Sequence, residues 1–136
     1  MQDRTANLLG ALGLAVADRI AEIALEVLDR AGETPAALVV IGYGLGPSND
    51  QLRRILGLSH PGMVRLVDRL VADELVERQV GRDRRAVALF LTPKGHEARE
   101  TLLAGRLAAI KSMLSPLGAE EEESLGLLLS RMSTPV

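Results

Sequence analysis

The sequence has no cysteine and no tryptophan, and its only aromatic rings are Tyr43 and Phe90. The absence of thiols excludes disulfides, thiolate zinc centres, cysteine nucleophiles and thiol-based peroxide sensing at once, and it suits a reducing cytoplasm. The two histidines, His60 and His96, are too far apart in sequence to suggest a metal site. Neither metal nor cofactor is therefore expected. No nucleophile elbow, phosphate loop or pair of catalytic carboxylates can be found, so the chain is not expected to be an enzyme. No apolar run approaches the roughly 20 residues that span a bilayer. With so few rings, the core must be built from Leu, Ile, Val, Ala and Met, which favours packed helices over a β-sandwich.

What is present is enough for one folded domain. The chain has 136 residues, 47% hydrophobic and 25% charged, which buries a core and solvates a surface. Leu8 to Ala17 reads LLGALGLAVA, and Ala15-Val16-Ala17 resembles the end of an export signal. Asp3 in the leader opposes that reading, and the apolar pattern continues through Ile20, Ile23, Ala24, Val27 and Leu28 at helical spacing. A long helix over 7–30 explains more residues. Its apolar positions cover more than one stripe, which points to a helix shared with a second subunit.

Further elements follow from their punctuation. Thr34 is a plausible N-cap and Pro35 a first helical residue, opening a helix to about Ile41. Ser48 and Gln51 have the spacing of a capping box, ahead of a short helix that turns Leu52, Ile55 and Leu56 inward. Gly57 suits a left-handed helix end, and only Leu58 separates it from Ser59, the N-cap of a helix to about Asp73. Two helices joined so tightly read as a helix-turn-helix. Val76–Val80 and Ala86–Thr92 are aliphatic segments flanking the polar tip Gly81 to Arg85, a β-hairpin or wing. Thr92 and Pro93 open another helix, with Leu102, Leu103, Leu107, Ile110 and Leu114 on its buried side. A last helix runs over about 119–132. Glu120 to Glu123 suit its first turn, where the dipole favours negative charge.

The expected architecture is thus mainly α with a small β-hairpin wing. Residues 34–92 form a winged helix-turn-helix lobe, while 1–33 and 93–136 form a helical dimerisation body. In the helix after Ser59, Met63, Leu66, Val67, Leu70 and Val71 fall on one side. His60, Pro61, Gly62, Val64, Arg65, Asp68 and Arg69 are left as the candidate contact surface. A face of small residues and arginine can enter a major groove closely, where a guanidinium pairs two guanine acceptors, so Arg65 is the first candidate for base contact. The alternative is that Arg65 and Arg69 only solvate the helix and pair with Asp68 or Asp73. His60 beside Ser59, and Arg53 and Arg54, are candidate phosphate contacts.

At the hairpin tip, Arg82, Asp83, Arg84 and Arg85 put three arginines around one aspartate. Such a tip can set an arginine in the negative potential of a minor groove. Residues 53–85 carry eight positive and five negative side chains, so this stretch is +3 while the rest of a chain of net charge −2 is −5. A basic lobe on an acidic body is the split expected of a DNA binder with a separate dimer body.

The run from Leu58 to Gly95 resembles the MarR family of winged-helix regulators. The resemblance is carried by RLVDRL at Arg65 to Leu70, LVER at Leu75 to Arg78, D-x-R at Asp83 and Arg85, and LTPKG at Leu91 to Gly95. It implies an obligate homodimer whose first and last two helices interleave, with two lobes facing successive major grooves of a pseudo-palindromic operator. It implies that Asp83 holds Arg85 in the minor groove, that Arg82 and Arg84 meet the backbone or groove edge, and that Arg65 lies in the recognition helix. Many relatives release DNA when a small acid or drug binds between body and lobe, so a repressor relieved by a small-molecule effector is expected. Pro61 and Gly62 stand where the family often has Ser or Thr, and the wing tip is about one residue short of common members. A winged-helix dimer serving as a protein-docking or assembly module is the alternative.

Overall fold

The structure is a computed structural model that describes residues 3–29, 32–80 and 87–133. Six helices and one hairpin follow in the order α1 (Arg4–Leu28), α2 (Thr34–Ile41), α3 (Asn49–Leu56), α4 (His60–Ala72), β1 (Val76–Val80), β2 (Val87–Leu91), α5 (Pro93–Leu114) and α6 (Ala119–Ser133). The strands pair antiparallel, from Val76 opposite Leu91 to Val80 opposite Val87. The expected order is borne out, with the first helix beginning at Arg4 rather than residue 7.

One core joins α2, α3, α4 and the hairpin. Leu38, Leu52, Met63, Leu70 and Leu89 are fully buried there. Each such side chain contributes roughly 1.5–3 kcal/mol through the apolar surface it removes from water. A second, smaller core lies where α1 crosses α5, built from Ile23, Ala24, Leu102 and Ala109. Helix α6 buries no residue in the single chain.

Three local expectations need correction. Thr34 does not cap α2: Glu33 holds the N-cap position without a side-chain hydrogen bond, and Thr34 is buried as the first helical residue. Only Leu52 of the α3 trio is fully buried; Leu56 packs partly against the core, and Ile55 is 61% exposed. In an eight-residue helix, 100° per residue puts positions 52 and 56 on one side and carries 55 towards its edge. On α5, Leu102 is buried and Leu103, Ile110 and Leu114 are half-buried, but Leu107 is 55% exposed.

Candidate nucleic-acid interface

The turn between α3 and α4 is set by three short-range devices. The Ser48 hydroxyl accepts from the Gln51 amide at 3.1 Å, and the Gln51 side chain accepts from the Ser48 amide at 3.0 Å, completing the capping box. Gly57 ends α3 with φ +69°, a conformation that costs an L side chain free energy. Ser59 then caps α4 by accepting from the Gly62 amide at 3.1 Å. Arg53 braces the same turn. Its guanidinium donates to the Leu58 carbonyl at 3.3 Å and to the Asp50 carboxylate at 3.0 Å.

Helix α4 turns Met63, Leu66, Val67 and Leu70 into the core, as its spacing requires. Val71 is half-buried. His60, Pro61, Val64, Arg65, Asp68, Arg69 and Ala72 are exposed, and Gly62 is half-exposed. This outward strip is low-walled at its N-terminal end, where Pro61 and Gly62 keep the backbone near the surface. Among the described residues, neither Arg65 nor Arg69 has an ion-pair partner. Asp68 is committed elsewhere, to Arg78 of β1 at 2.5 Å, so it ties α4 to the hairpin. That pair was not foreseen in the sequence, because ten residues and a turn separate its members.

The two arginines of α3 differ in availability. Asp50 bridges both, at 3.0 Å to Arg53 and 2.9 Å to Arg54. Arg53 is mostly covered and holds the turn, whereas the Arg54 head is open to solvent. The hydrogen bond from Arg53, reinforced by the charges of Arg54 and Arg53 and weakly by His60, holds the Asp50 carboxyl below its ordinary value of 3.8. The four tip residues Arg82, Asp83, Arg84 and Arg85 lie outside the described residues.

The end of α4 is stitched to the start of α5. Three successive carbonyls are held: that of Asp73 by the Lys94 ammonium at 3.0 Å, that of Glu74 by the Thr92 hydroxyl, and that of Leu75 by the Thr92 amide at 3.1 Å. Thr92 also caps α5 by accepting from Gly95 at 3.0 Å. A Cβ on Gly95 would lie 2.0 Å from the Leu75 carbonyl oxygen, so only glycine permits this approach. The LTPKG segment is therefore a clamp between the hairpin base and α5.

Two hollows lie where the lobe meets α1 and α5. One, of about 450 Å³, is lined by residues including Val27, Thr34, Leu75 and Lys94. The other, about 180 Å³, is walled by small side chains of α1 and α2, among them Ala17, Ala21 and Ala36, and by Arg106 of α5. Among the described residues, the buried Arg106 Nε has no hydrogen-bond partner. Among the described residues, no group of histidine and acidic side chains could hold a metal ion. Likewise, no described helix is long and apolar enough to cross a membrane.

A tight helix pair with an outward second helix, followed by a hairpin, defines a winged helix-turn-helix protein. Residues 23–86, just under half of the chain, match the sequence model of the MarR family, and the chain is similar to that family over this stretch. It is similar to MepR, a transcription regulator of the Staphylococcus aureus multidrug efflux pump MepA, with 20% identity, TM-score 0.81, and 93% of this chain and 94% of that one covered. A MepR mutant bound to an oligodeoxyribonucleotide has 21% identity and TM-score 0.72, with 94% of each chain covered. Wild-type apo MarR from E. coli has 23% identity and TM-score 0.77, with 95% and 96% covered. No curated protein matches the chain in sequence.

Proposed function

We propose that the protein is a homodimeric transcriptional regulator that binds a pseudo-palindromic operator in double-stranded DNA and acts in the cytoplasm. The observation that carries this reading is the outward strip of α4, where Arg65 and Arg69 stand without ion-pair partners among the described residues, beside small residues on a capped helix-turn-helix. Arg65 reads a base edge. Arg69, Arg54 and His60 meet phosphates, Ser59 orients the helix start, and Val64 supplies apolar contact with the groove. Asp68 acts indirectly, since its pair with Arg78 fixes the hairpin against α4. Arg82, Arg84 and Arg85 enter or border the minor groove, with Asp83 holding Arg85 in place.

Residues 34–92 are the DNA lobe, and 1–33 with 93–136 the dimerisation body. The dimer reading is supported by the apolar side chains that α1, α5 and α6 leave uncovered, including Leu8, Leu12, Leu107, Leu128 and Met132. An exposed apolar surface of this extent marks an interface. Repression relieved by a small acid is supported by the Arg106 hollow, whose unpaired guanidinium nitrogen suits a carboxylate.

The test is binding of the purified protein to its own upstream intergenic DNA against random competitor across a salt series. Saturable, competitor-resistant binding that weakens steeply with salt is expected. Loss of preference for any duplex, after random-sequence selection as well, would refute the operator reading.

A further inference from the structure

About one turn beyond Gly95, the half-buried Arg99 makes a second attachment of α5 to the lobe, on a different element. Its stem lies flat on Gly42, where an added Cβ would come within 2.1 Å of the Arg99 Cδ and Nε. Arg99 Nε donates to the Val39 carbonyl at 3.2 Å, and the guanidinium carbon sits 5.1 Å from the Tyr43 ring centroid. Helix α2 lacks this donor on its own: it has no basic residue in its last turn, and the Tyr43 amide bonds to the Val40 carbonyl rather than to that of Val39. Among the described residues, no carboxylate pairs with Arg99. Its guanidinium is thus committed to the negative end of another helix.

The loop after α2 is held at its far end as well. Gly46 lies against the Phe90 ring, where a Cβ would approach to 2.6 Å, and the Leu89 amide donates to the Pro47 carbonyl at 2.9 Å. Pro47 directly precedes Ser48, the cap of α3. The contacts therefore form a closed ring, from α5 through the Gly95 clamp to the hairpin, from Leu89 to Pro47, back along the loop to Gly42, and through Arg99 to α5 again. A body held at two separated points cannot turn about either, whereas a body held at one point can. From this geometry we infer that Arg99 is a positioning residue for operator binding: it closes the ring, fixes the angle of the helix-turn-helix against α5, and so fixes the separation of the two lobes. The inference rests on the operator-binding dimer proposed above. A preset angle removes the cost of ordering the lobes on a duplex of matching half-site spacing and withholds that gain from the others.

The probes are the duplex that the full-length parent selects from random sequence, the same duplex with one base pair inserted or removed between its half-sites, and a random duplex. One base pair moves a half-site by about 3.4 Å along the axis and about 34° around it. The parent should bind either altered duplex about 10-fold or more weakly than the selected one. Arg99→Met keeps the stem over Gly42 and removes the donor and the charge, so it should bind the selected duplex about 10-fold more weakly and separate the three spacings by less than about 3-fold. Its affinity for the random duplex should stay within about 2-fold of the parent's, because Arg54, Arg65 and Arg69 are untouched. Gly42→Ala tests the link from the other side. Alanine suits the φ of −64° at that position, but its methyl takes the place of the Arg99 stem, so the same loss of spacing preference is expected. Urea midpoints establish that each variant folds. A folded variant that separates the spacings as the parent does would overturn the inference, and so would a parent indifferent to spacing. Equal weakening on selected and random duplexes would reduce Arg99 to a general contribution of charge, and failure of both variants to fold would make it a structural residue only; either result overturns the inference. A parent that selects no duplex would sink the operator reading itself and the inference with it, an outcome read before any variant is made.

Discussion

Single side chains decide where this molecule is rigid and where it is available. Gly95 is the sharpest case, because an added methyl would meet the Leu75 carbonyl oxygen at 2.0 Å and cannot be accommodated by rotating a side chain. Gly95→Ala should destabilise the protein by about 1–3 kcal/mol or more, the usual cost of overpacking, read as a lower urea midpoint with unchanged slope. Arg65→Ala should leave that midpoint untouched, cost about 1–3 kcal/mol of operator affinity and relax preference at one position per half-site. Equal loss on every duplex would assign Arg65 to the phosphates instead.

Asp50 makes a different demand. Its carboxyl is held below the usual value by Arg53, so the folded state favours the ionised form. A depressed folded pKa means that the contribution is complete above the unfolded value of 3.8 and is lost as pH falls through the lower folded value. Asp50→Asn should accordingly flatten the acid limb of a stability-against-pH curve and leave its shape at neutral pH unchanged. A limb as steep as the parent's would show that other carboxylates dominate acid unfolding.

Among the elements, the helix-turn-helix was the most legible in the sequence, because its signals are local. Ser48, Gln51, Gly57 and Ser59 each act within three or four residues, and each occupies its expected place. Ser48→Ala should remove the reciprocal cap and cost about 1 kcal/mol, whereas Ser48→Asp should retain most of it; chemical denaturation of the pair tests this. What could not be read were relations set by packing. Thr34 has the composition of a cap but is buried as the first residue of α2, so its hydroxyl does not cap the start of the helix. Ile55 continues an apolar pattern yet lies at the edge of a short helix. The Asp68–Arg78 and Lys94–Asp73 links cross element boundaries, and no spacing rule announces them. The strip on α4 was legible because 3.6-residue periodicity sorts its two faces, while the partner of Asp68 was not.

At the scale of the whole molecule, α6 is the telling element: fifteen residues of helix without one buried side chain, although Leu127, Leu128, Leu129 and Met132 are there to bury. A lone chain of this kind would be short of core in its helical half. Leu12→Glu and Leu107→Glu are expected to convert the dimer to monomer by sedimentation equilibrium. Operator affinity should fall with it by about 100-fold or more, since linked half-sites gain that much from being engaged together. A variant that is monomeric yet binds the operator at full strength would contradict the dimer. Leu107 was expected to face inward, and in the single chain it does not. The two statements meet if its inside is another subunit's surface.

The clamp at Gly95 has a mechanical consequence. It welds the hairpin base to one end of α5, a helix of 22 residues, which at 1.5 Å per residue is a rod about 33 Å long. Tilting such a rod by about 5° about its C-terminal end displaces the welded end by about 3 Å, nearly the rise of one base pair. A lobe fixed to that end cannot absorb the tilt by slipping. In the proposed dimer, small changes of angle deep in the helical body would be geared up into changes of stride along a duplex, as a pair of dividers turns a small opening at its hinge into a larger gap between its legs.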